Sequence, residues 1–253
     1  MPRLAPKIRN ERALSCEGAV PILTVEGLGK NFGEQVAIAD ISFVVKTNEV
    51  LGIIGPNGAG KTTLLETVAG HLSADTGVIY LRGEELSVAH RRNAIFYVPD
   101  GVRPYPDQFV ATVVSFLADV YRRTENELAD VVRLTGLTPV LGKRVHALSK
   151  GYARRLLLAL GLLAPHQLVL MDEPFDGFDL RQTREVMGVL RNEASLGRSL
   201  VLAIHQLADA ERVCDRFMLL SAGRICAGGT LDELRAHADL PNAHLEEIFL
   251  ALT

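Results

Sequence analysis

The stretch GPNGAGKTT, from Gly55 to Thr63, constrains the fold of this chain more than any other feature. It satisfies the pattern G-x-x-x-x-G-K-[ST]. A compact apolar run, Val50–Ile54, precedes it, and a helical pattern over Lys61–Ala69 follows it and stops at Gly70. A glycine-rich loop between a buried strand and a helix is typical of a parallel α/β sheet that binds phosphate.

The chemistry of this loop is specific. Its glycines let backbone N–H groups close around phosphate oxygens, and the helix N-terminus adds partial positive charge. Lys61 is expected to reach the β and γ phosphates of a nucleotide, and Thr62 to offer its hydroxyl to Mg²⁺. A glycine-rich turn of purely structural use is the alternative. The predicted nucleotide-binding residues of the loop are Gly55, Pro56, Asn57, Gly58, Ala59, Gly60, Lys61, Thr62 and Thr63.

An acidic pair ends a second apolar run. In LVLMDEP, Asp172 and Glu173 follow the predicted strand Leu168–Met171. Parallel α/β sheets collect ligands at the carboxyl ends of their strands. Together with the phosphate loop, the pair predicts that Asp172 holds Mg²⁺ and that Glu173 polarises the water attacking the γ-phosphate. The alternative is that these acids only cap a helix.

Composition excludes several classes of protein. With 253 residues and 48% hydrophobic content the chain can bury a large core, and its net charge of −3 argues against a nucleic-acid partner. The 3 cysteines show no metal or redox spacing, which fits a reducing cytosol. The longest apolar run, Leu156–Ala164, is far shorter than the roughly 20 residues of a membrane-spanning helix. Residues 1–20 are predicted to be a flexible tail without a secretory signal.

The remaining pattern predicts an α/β chain with one helical insertion. Residues from Asp107 to about Val145 have helical character, and we expect a helical subdomain of about 101–165 inserted into a single domain, 21–253. The predicted strands are Ile22–Val25, Val36–Val45, Val78–Leu81, Ala94–Val98, Ser199–Ile204 and a short pair about Ser221–Gly223; the predicted helices end at Leu163 or cover Leu180–Glu193, Leu207–Val213 and the segments LDELRAHADL and HLEEIFLALT.

Phosphate loop, helical insertion, LSKGY and DEP follow one another in the order found in the ATP-binding cassette ATPases, which this chain resembles from Ile22 to Thr253. The resemblance implies a P-loop NTPase core with an antiparallel β subdomain and an inserted helical subdomain. It also implies ATP and Mg²⁺ as cofactors. In that family a signature loop caps the γ-phosphate bound by a partner subunit, so two ATP molecules join two cassettes head to tail.

The signature positions are Ser149, Lys150, Gly151 and Tyr152. Ser149 offers a hydroxyl, Gly151 leaves its N–H uncovered, and the following helix aims its positive end at the same anion. A simple helix N-cap is the alternative for this cluster.

Four further positions take their roles from the resemblance. Phe32 stands where an aromatic ring stacks on adenine, with a plain core position as the alternative. His205 stands at the switch histidine that contacts the γ-phosphate, with a structural histidine as the alternative. Asp176 and Asp179 stand in the loop through which the two subunits communicate, where Asp176 replaces a usual serine.

Three other departures from the family matter. Lys150 and Tyr152 replace a glycine and a glutamine of the signature. Asp100 replaces the glutamine that touches Mg²⁺ and senses the membrane partner, and we predict that Asp100 is a working metal-side residue. The alternative is that Asp100 caps a turn with Gly101 and faces solvent.

The resemblance implies an ATPase that forms a dimer, a homodimer by expectation, at the cytoplasmic face of the membrane. It would bind a separately encoded permease through its helical lobe. The C-terminal HLEEIFLALT is similar to the ending of ATPases of ABC-2 exporters, which favours export over import. A regulatory cassette with little turnover and a non-transport cassette of translation or DNA repair are the alternatives. A P-loop kinase or GTPase would lack the SKGY–DEP pairing.

Overall fold

The structure is a computed structural model and describes residues 21–253. The tail predicted for residues 1–20 lies outside the described residues. The strands are β1 (Pro21–Phe32), β2 (Gln35–Lys46), β3 (Val50–Ile54), β4 (Thr76–Leu81), β5 (Glu84–Glu85), β6 (Ile95–Val98), β7 (Leu168–Asp172), β8 (Ser199–Ile204), β9 (Arg216–Ser221) and β10 (Arg224–Gly229). The α-helices are α1 (Lys61–Ala69), α2 (Val88–Ala94), α3 (Val110–Val120), α4 (Glu125–Leu134), α5 (Lys150–Leu163), α6 (Leu180–Ser195), α7 (Leu207–Val213), α8 (Leu231–Ala238) and α9 (Leu245–Leu252).

A six-stranded sheet in the order β10-β9-β3-β8-β7-β6 forms the core. Its strands are parallel except for β10, which pairs antiparallel with β9. Every residue of β3, β7 and β8 is buried, as expected for strands covered on both faces. Because β8 lies between β3 and β7, the phosphate loop, the acidic pair and His205 all leave the sheet at the same edge. The fold class predicted from the sequence is confirmed.

The second sheet, in the order β2-β1-β4-β5, is antiparallel. The strand predicted for Ile22–Val25 was too short, since β1 continues to Phe32. Register shifts against β2 between Val25 and Lys30 absorb the glycines that interrupt the apolar pattern. The strand predicted to begin at Ala94 begins instead at Ile95, because Ala94 is the last residue of helix α2. Helix α2 was not predicted.

The helical insertion has its own apolar core. Helices α3 and α4 pack against α5, and Thr124 and Glu127 form a capping box that starts α4. Helix α5 is shared between two cores. Its Leu156 and Leu163 belong to the lobe core, whereas Leu157 belongs to the core of the central sheet.

The hairpin of β9 and β10 supports the phosphate loop from behind. The Gly223 N–H donates to the Ala59 carbonyl at 3.1 Å, and the Gly223 carbonyl accepts from the Ala39 N–H at 2.8 Å. The hairpin therefore joins the loop to the antiparallel sheet. Within residues 21–253, no helix is both long enough and apolar enough to cross a bilayer.

Candidate active site

The phosphate loop leaves no room for a side chain at two of its three glycines, Gly55 and Gly60. A Cβ on Gly55 would stand 2.3 Å from the Leu220 carbonyl oxygen, and one on Gly60 would stand 2.6 Å from the Ala37 carbonyl oxygen. Gly58 and Gly60 also take positive φ values, 82° and 101°. The sequence therefore folds here into one loop shape, which opens onto the N-terminus of α1.

Lys61 is buried at the start of α1, with 6% of its surface exposed. Its ammonium donates to the carbonyl oxygens of Gly55 at 2.8 Å and Pro56 at 3.4 Å. It also lies 3.7 Å from Glu173 Oε1. A buried cation beside the N-terminus of a nine-residue helix favours the binding of a phosphate group here.

Thr62 and Asp172 meet beside the loop. Thr62 Oγ1 donates to Asp172 Oδ2 at 2.6 Å. Burial raises the pKa of Asp172, and the negative charges of Glu173 and Asp100 raise it further, against the Thr62 hydrogen bond and Lys61. Asp172 Oδ1 is buried and has no hydrogen-bond partner among residues 21–253. A hydroxyl next to an unsatisfied carboxylate oxygen is a donor set that suits Mg²⁺.

Glu173 lies between Lys61 and His205. Its backbone has a left-handed φ of 48°, and its N–H donates to the Ala203 carbonyl oxygen at 2.9 Å. Glu173 Oε2 accepts the His205 N–H at 3.3 Å and lies 2.5 Å from His205 Nδ1. Left-handed backbone at a non-glycine residue costs of order 1–3 kcal/mol and concentrates at functional sites. His205 is thus hydrogen-bonded to Glu173, the predicted catalytic carboxylate. A histidine with a purely structural role would not need this contact.

Lys61, Thr62, Asp172 and Glu173 line a cleft of about 710 Å³, whereas His205 stands behind Glu173 and does not line it. Phe32 lies on its wall with half of its surface exposed, so the alternative of a plain core position is wrong. Tyr97, which the sequence did not single out, also lines the cleft, and its hydroxyl has no hydrogen-bond partner in the described range. The volume lies within the range of about 300–1,000 Å³ that is usual for small-molecule sites.

Asp100 lines the same cleft and is paired with an arginine that sequence reasoning missed. Its carboxylate is hydrogen-bonded to the guanidinium of Arg154, a side chain that is only 5% exposed. Arg154 also donates to the backbone carbonyl of Asp172 at 3.3 Å. A turn cap facing solvent does not account for this pairing. The available signal was an arginine in the first turns of an otherwise leucine-rich helix.

The signature residues lie around a second cleft, of about 530 Å³. Ser149, Lys150, Gly151 and Tyr152 line it together with Asp179, and it shares no lining residue with the first cleft. Ser149 is the N-cap of α5, where its Oγ accepts the Tyr152 N–H at 3.4 Å.

Two departures from the family pattern pair with each other here. Lys150 Nζ lies 2.7 Å from Asp176 Oδ2, and this hydrogen bond lowers the pKa of Asp176. The stem of Lys150 lies on Gly177, where a Cβ would stand 2.9 Å from Lys150 Cγ. Asp179 is the N-cap of α6 and accepts the Gln182 N–H at 2.8 Å.

Comparisons with known proteins agree with this geometry. Residues 38–176 match the family model described as "ABC transporter". The Nod factor export ATP-binding protein I of Ralstonia nicotianae is 33% identical over 87% of this chain and 70% of its own length. The lipopolysaccharide export system ATP-binding protein LptB of Haemophilus influenzae is 29% identical over 90% of this chain and 98% of its own. The Fe(3+) ions import ATP-binding protein FbpC 2 of Rhodococcus jostii is 33% identical over 87% of this chain and 66% of its own length.

Among solved structures, an ATP-binding subunit of an ABC transporter superposes with a TM-score of 0.83 at 29% identity. It covers 91% of this chain and 99% of the other.

Proposed function

Because this chain belongs to the ABC transporter family as an ATP-hydrolysing subunit, we propose that its two clefts act together across a dimer. The signature cleft of one copy would close over the γ-phosphate held in the loop cleft of the other. One observation carries this proposal: the two clefts of one chain share no lining residue, so Ser149 does not line the pocket of its own Lys61. We treat 21–253 as one ATPase domain.

In the loop cleft, Lys61 and the backbone N–H groups of the loop bind the β and γ phosphates, and Phe32 stacks on adenine. Thr62 and Asp172 hold Mg²⁺, for which the unsatisfied Asp172 Oδ1 is the available ligand atom. When bound, the metal neutralises charge on the phosphate oxygens and aligns them for attack.

Glu173 acts as the general base that accepts a proton from the attacking water. Its carboxylate is near Lys61 and bonded to His205. Binding of the triphosphate gives Lys61 a stronger anionic partner and withdraws it from Glu173. The carboxylate is then oriented by His205 alone and is free to accept the proton.

The permease is proposed to dock on the helical lobe. Tyr105, Phe109, Phe116 and Val120 are large apolar side chains that are about half exposed there. Tyr105 and Phe116 stand edge to face, 6.0 Å between ring centroids, beside an apolar groove of about 230 Å³. An apolar segment of a separately encoded permease would fill this groove and hold the subunit at the cytoplasmic face of the membrane.

The direction of transport is proposed to be export, on the C-terminal pattern HLEEIFLALT. This segment forms α9, at whose start the His244 N–H donates to Glu247 Oε2 at 2.9 Å. Import is the second candidate, since import ATP-binding proteins occur among the relatives. ATP-driven accumulation of cargo in inside-out vesicles carrying the subunit and its permease supports export, and accumulation in right-side-out vesicles contradicts it.

A mixed dimer tests the sharing of clefts. Ser149→Ala and Lys61→Ala subunits are each expected to form inactive homodimers. In a mixed dimer both lesions fall in one composite site, so the other site is intact and turnover returns. Differently tagged chains confirm that the subunits have exchanged. If mixing then restores no turnover, the proposal of two shared sites that act independently is wrong.

A further inference from the structure

One buried arginine connects three parts of the molecule. Arg154 belongs to α5, the helix that begins at the signature serine. Its guanidinium is bonded to the carboxylate of Asp100, in the loop after β6, and to the carbonyl of Asp172, at the end of β7. Since α5 contributes leucines to both the lobe core and the sheet core, Arg154 lies where the lobe joins the sheet.

A guanidinium in this position needs a carboxylate. Arginine stays protonated in proteins, and a buried charge without a partner is strongly destabilising. Asp100 supplies this partner. Its carboxylate is hydrogen-bonded to the guanidinium of Arg154, whose side chain is only 5% exposed. The other acidic groups nearby face other cations: Asp176 is bonded to Lys150, and Glu173 lies near Lys61.

The pair also changes how Asp100 acts on a nucleotide. An unpaired carboxylate on this wall would repel the triphosphate and attract Mg²⁺. Pairing with Arg154 opposes that charge and holds the carboxylate against α5. Helix α5 therefore fixes the position of the Asp100 carboxylate through Arg154. The same guanidinium holds the end of β7 through the carbonyl of Asp172.

We propose that Asp100 and Arg154 work as one unit, in which Arg154 neutralises Asp100 towards the nucleotide and positions the strand end that carries Asp172 and Glu173. Arg154 is a positioning residue, and Asp100 is its counter-ion rather than a ligand of the metal. The proposal rests on the proposed ATPase function of this cleft and replaces the metal-side role predicted for Asp100 from the sequence.

A double-mutant cycle in the purified full-length chain tests it, with Asp100→Asn, Arg154→Gln and the double variant. Each single change is expected to lower kcat about tenfold, and the double variant is expected to lose no more than Arg154→Gln alone, because charges in contact give strongly non-additive effects. The double variant stays below wild type because it still lacks the Arg154 contact to the Asp172 carbonyl. The KM for ATP rises only in Arg154→Gln, where Asp100 is left unpaired, and returns to normal in the double variant.

The Mg²⁺ titration separates the pair from a metal ligand. With Asp100 as a counter-ion, Asp100→Asn leaves the half-saturating Mg²⁺ concentration unchanged, and Arg154→Gln lowers it because the freed carboxylate attracts the cation. A metal ligand at Asp100 predicts the reverse: Asp100→Asn raises the Mg²⁺ requirement whatever residue occupies position 154. Arg154→Lys, which keeps the charge, is expected to restore the KM for ATP.

A second, partly buried ion pair is the matched control. Arg198 and Glu193 are in contact at 3.2 Å and do not line the nucleotide cleft. Arg198→Gln and Glu193→Gln are expected to lower the melting temperature without changing the KM for ATP or the Mg²⁺ dependence. If the Asp100 and Arg154 variants behave in the same way, the pair is only structural and the proposal is overturned.

Failure of the proposed function is recognised separately. If turnover of the wild type does not depend on Lys61, the ATPase assignment of this cleft fails whatever the cycle shows. The same cycle read by thermal unfolding without nucleotide then tests the ion pair. Additive changes in melting temperature, or kinetic effects that multiply in the double variant, contradict it.

Discussion

The two clefts of this chain differ in how completely they are built. In the loop cleft, Lys61 and Asp172 are buried and tied to their neighbours by short hydrogen bonds. In the signature cleft, the Lys150 side chain is 67% exposed, and one ion pair to Asp176 holds its charged end. We call the loop cleft the finished cleft, because its charged groups are buried and held by several contacts, and the signature cleft the half-built cleft, because its charged group is exposed and held by one ion pair.

The largest effect should come from Glu173, the proposed general base of the finished cleft. Glu173→Gln removes the proton acceptor and is expected to lower turnover about 100- to 10,000-fold, the usual contribution of a general base, while ATP affinity is kept. The variant should accumulate as an ATP-bound dimer, measured by light scattering. Glu84→Gln, on an exposed short strand, is the control. Turnover within twofold of wild type would show that another group activates the water.

Lys61→Ala should have the next largest effect. It removes a charge-assisted contact to the β and γ phosphates from a buried site, so ATP affinity is expected to fall about a hundredfold. Calorimetric titration with ATP measures it, and Lys143→Ala, at an exposed lysine of the lobe, is the matched control. Unchanged affinity would mean that the first cleft is not the nucleotide site.

A smaller effect is expected in the half-built cleft. Lys150→Met keeps the apolar stem on Gly177 and removes the charge, and it should weaken the ATP-induced dimer of the Glu173→Gln variant about fivefold, within the range for a partly exposed charged contact. Asp176→Ser releases Lys150 and should have the opposite sign. Both are read as dimer dissociation constants. Equal effects in the absence of ATP would indicate that Lys150 acts on the subunit and not on the nucleotide.

The smallest effect is a change in titration. The Lys150 hydrogen bond lowers the pKa of Asp176, so this pair stabilises the fold above the ordinary pKa of aspartate and is lost as the pH falls through the lowered value. In Lys150→Met, the pKa of Asp176 should rise towards its ordinary range, as followed by carboxyl NMR. The difference in melting temperature between the two proteins should then disappear in acid. A pKa unchanged by the substitution would contradict the pairing.

The sequence predicted the finished cleft better than the half-built one. The loop glycines and Lys61 form one continuous stretch and the acid pair forms another, and each stretch follows a buried strand, so local pattern and burial agree about them. Two contacts were not predicted, Asp100–Arg154 beside the finished cleft and Lys150–Asp176 beside the half-built one. They join residues that are 54 and 26 positions apart, and no local pattern links them.

The errors in the fold have a similar cause. Strand β1 was cut short because glycines interrupt its apolar alternation, while the bulges that absorb them depend on pairing with β2. Helix α2 was missed because its sequence VAHRRNA is polar and short, and Ser87 and Arg91 stabilise it through contacts outside any amphipathic pattern.

The hairpin behind the phosphate loop has a consequence for the order of synthesis. Strand β3 lies between β8 and β9, which the ribosome delivers roughly 150 residues later, and the loop is backed by the carbonyl of Leu220. A nascent chain that has just left the ribosome with GPNGAGKTT therefore lacks every partner of that strand in the sheet. The phosphate loop therefore acquires the strands on both sides of β3, and the carbonyl that backs Gly55, only after residues up to Leu220 have been translated.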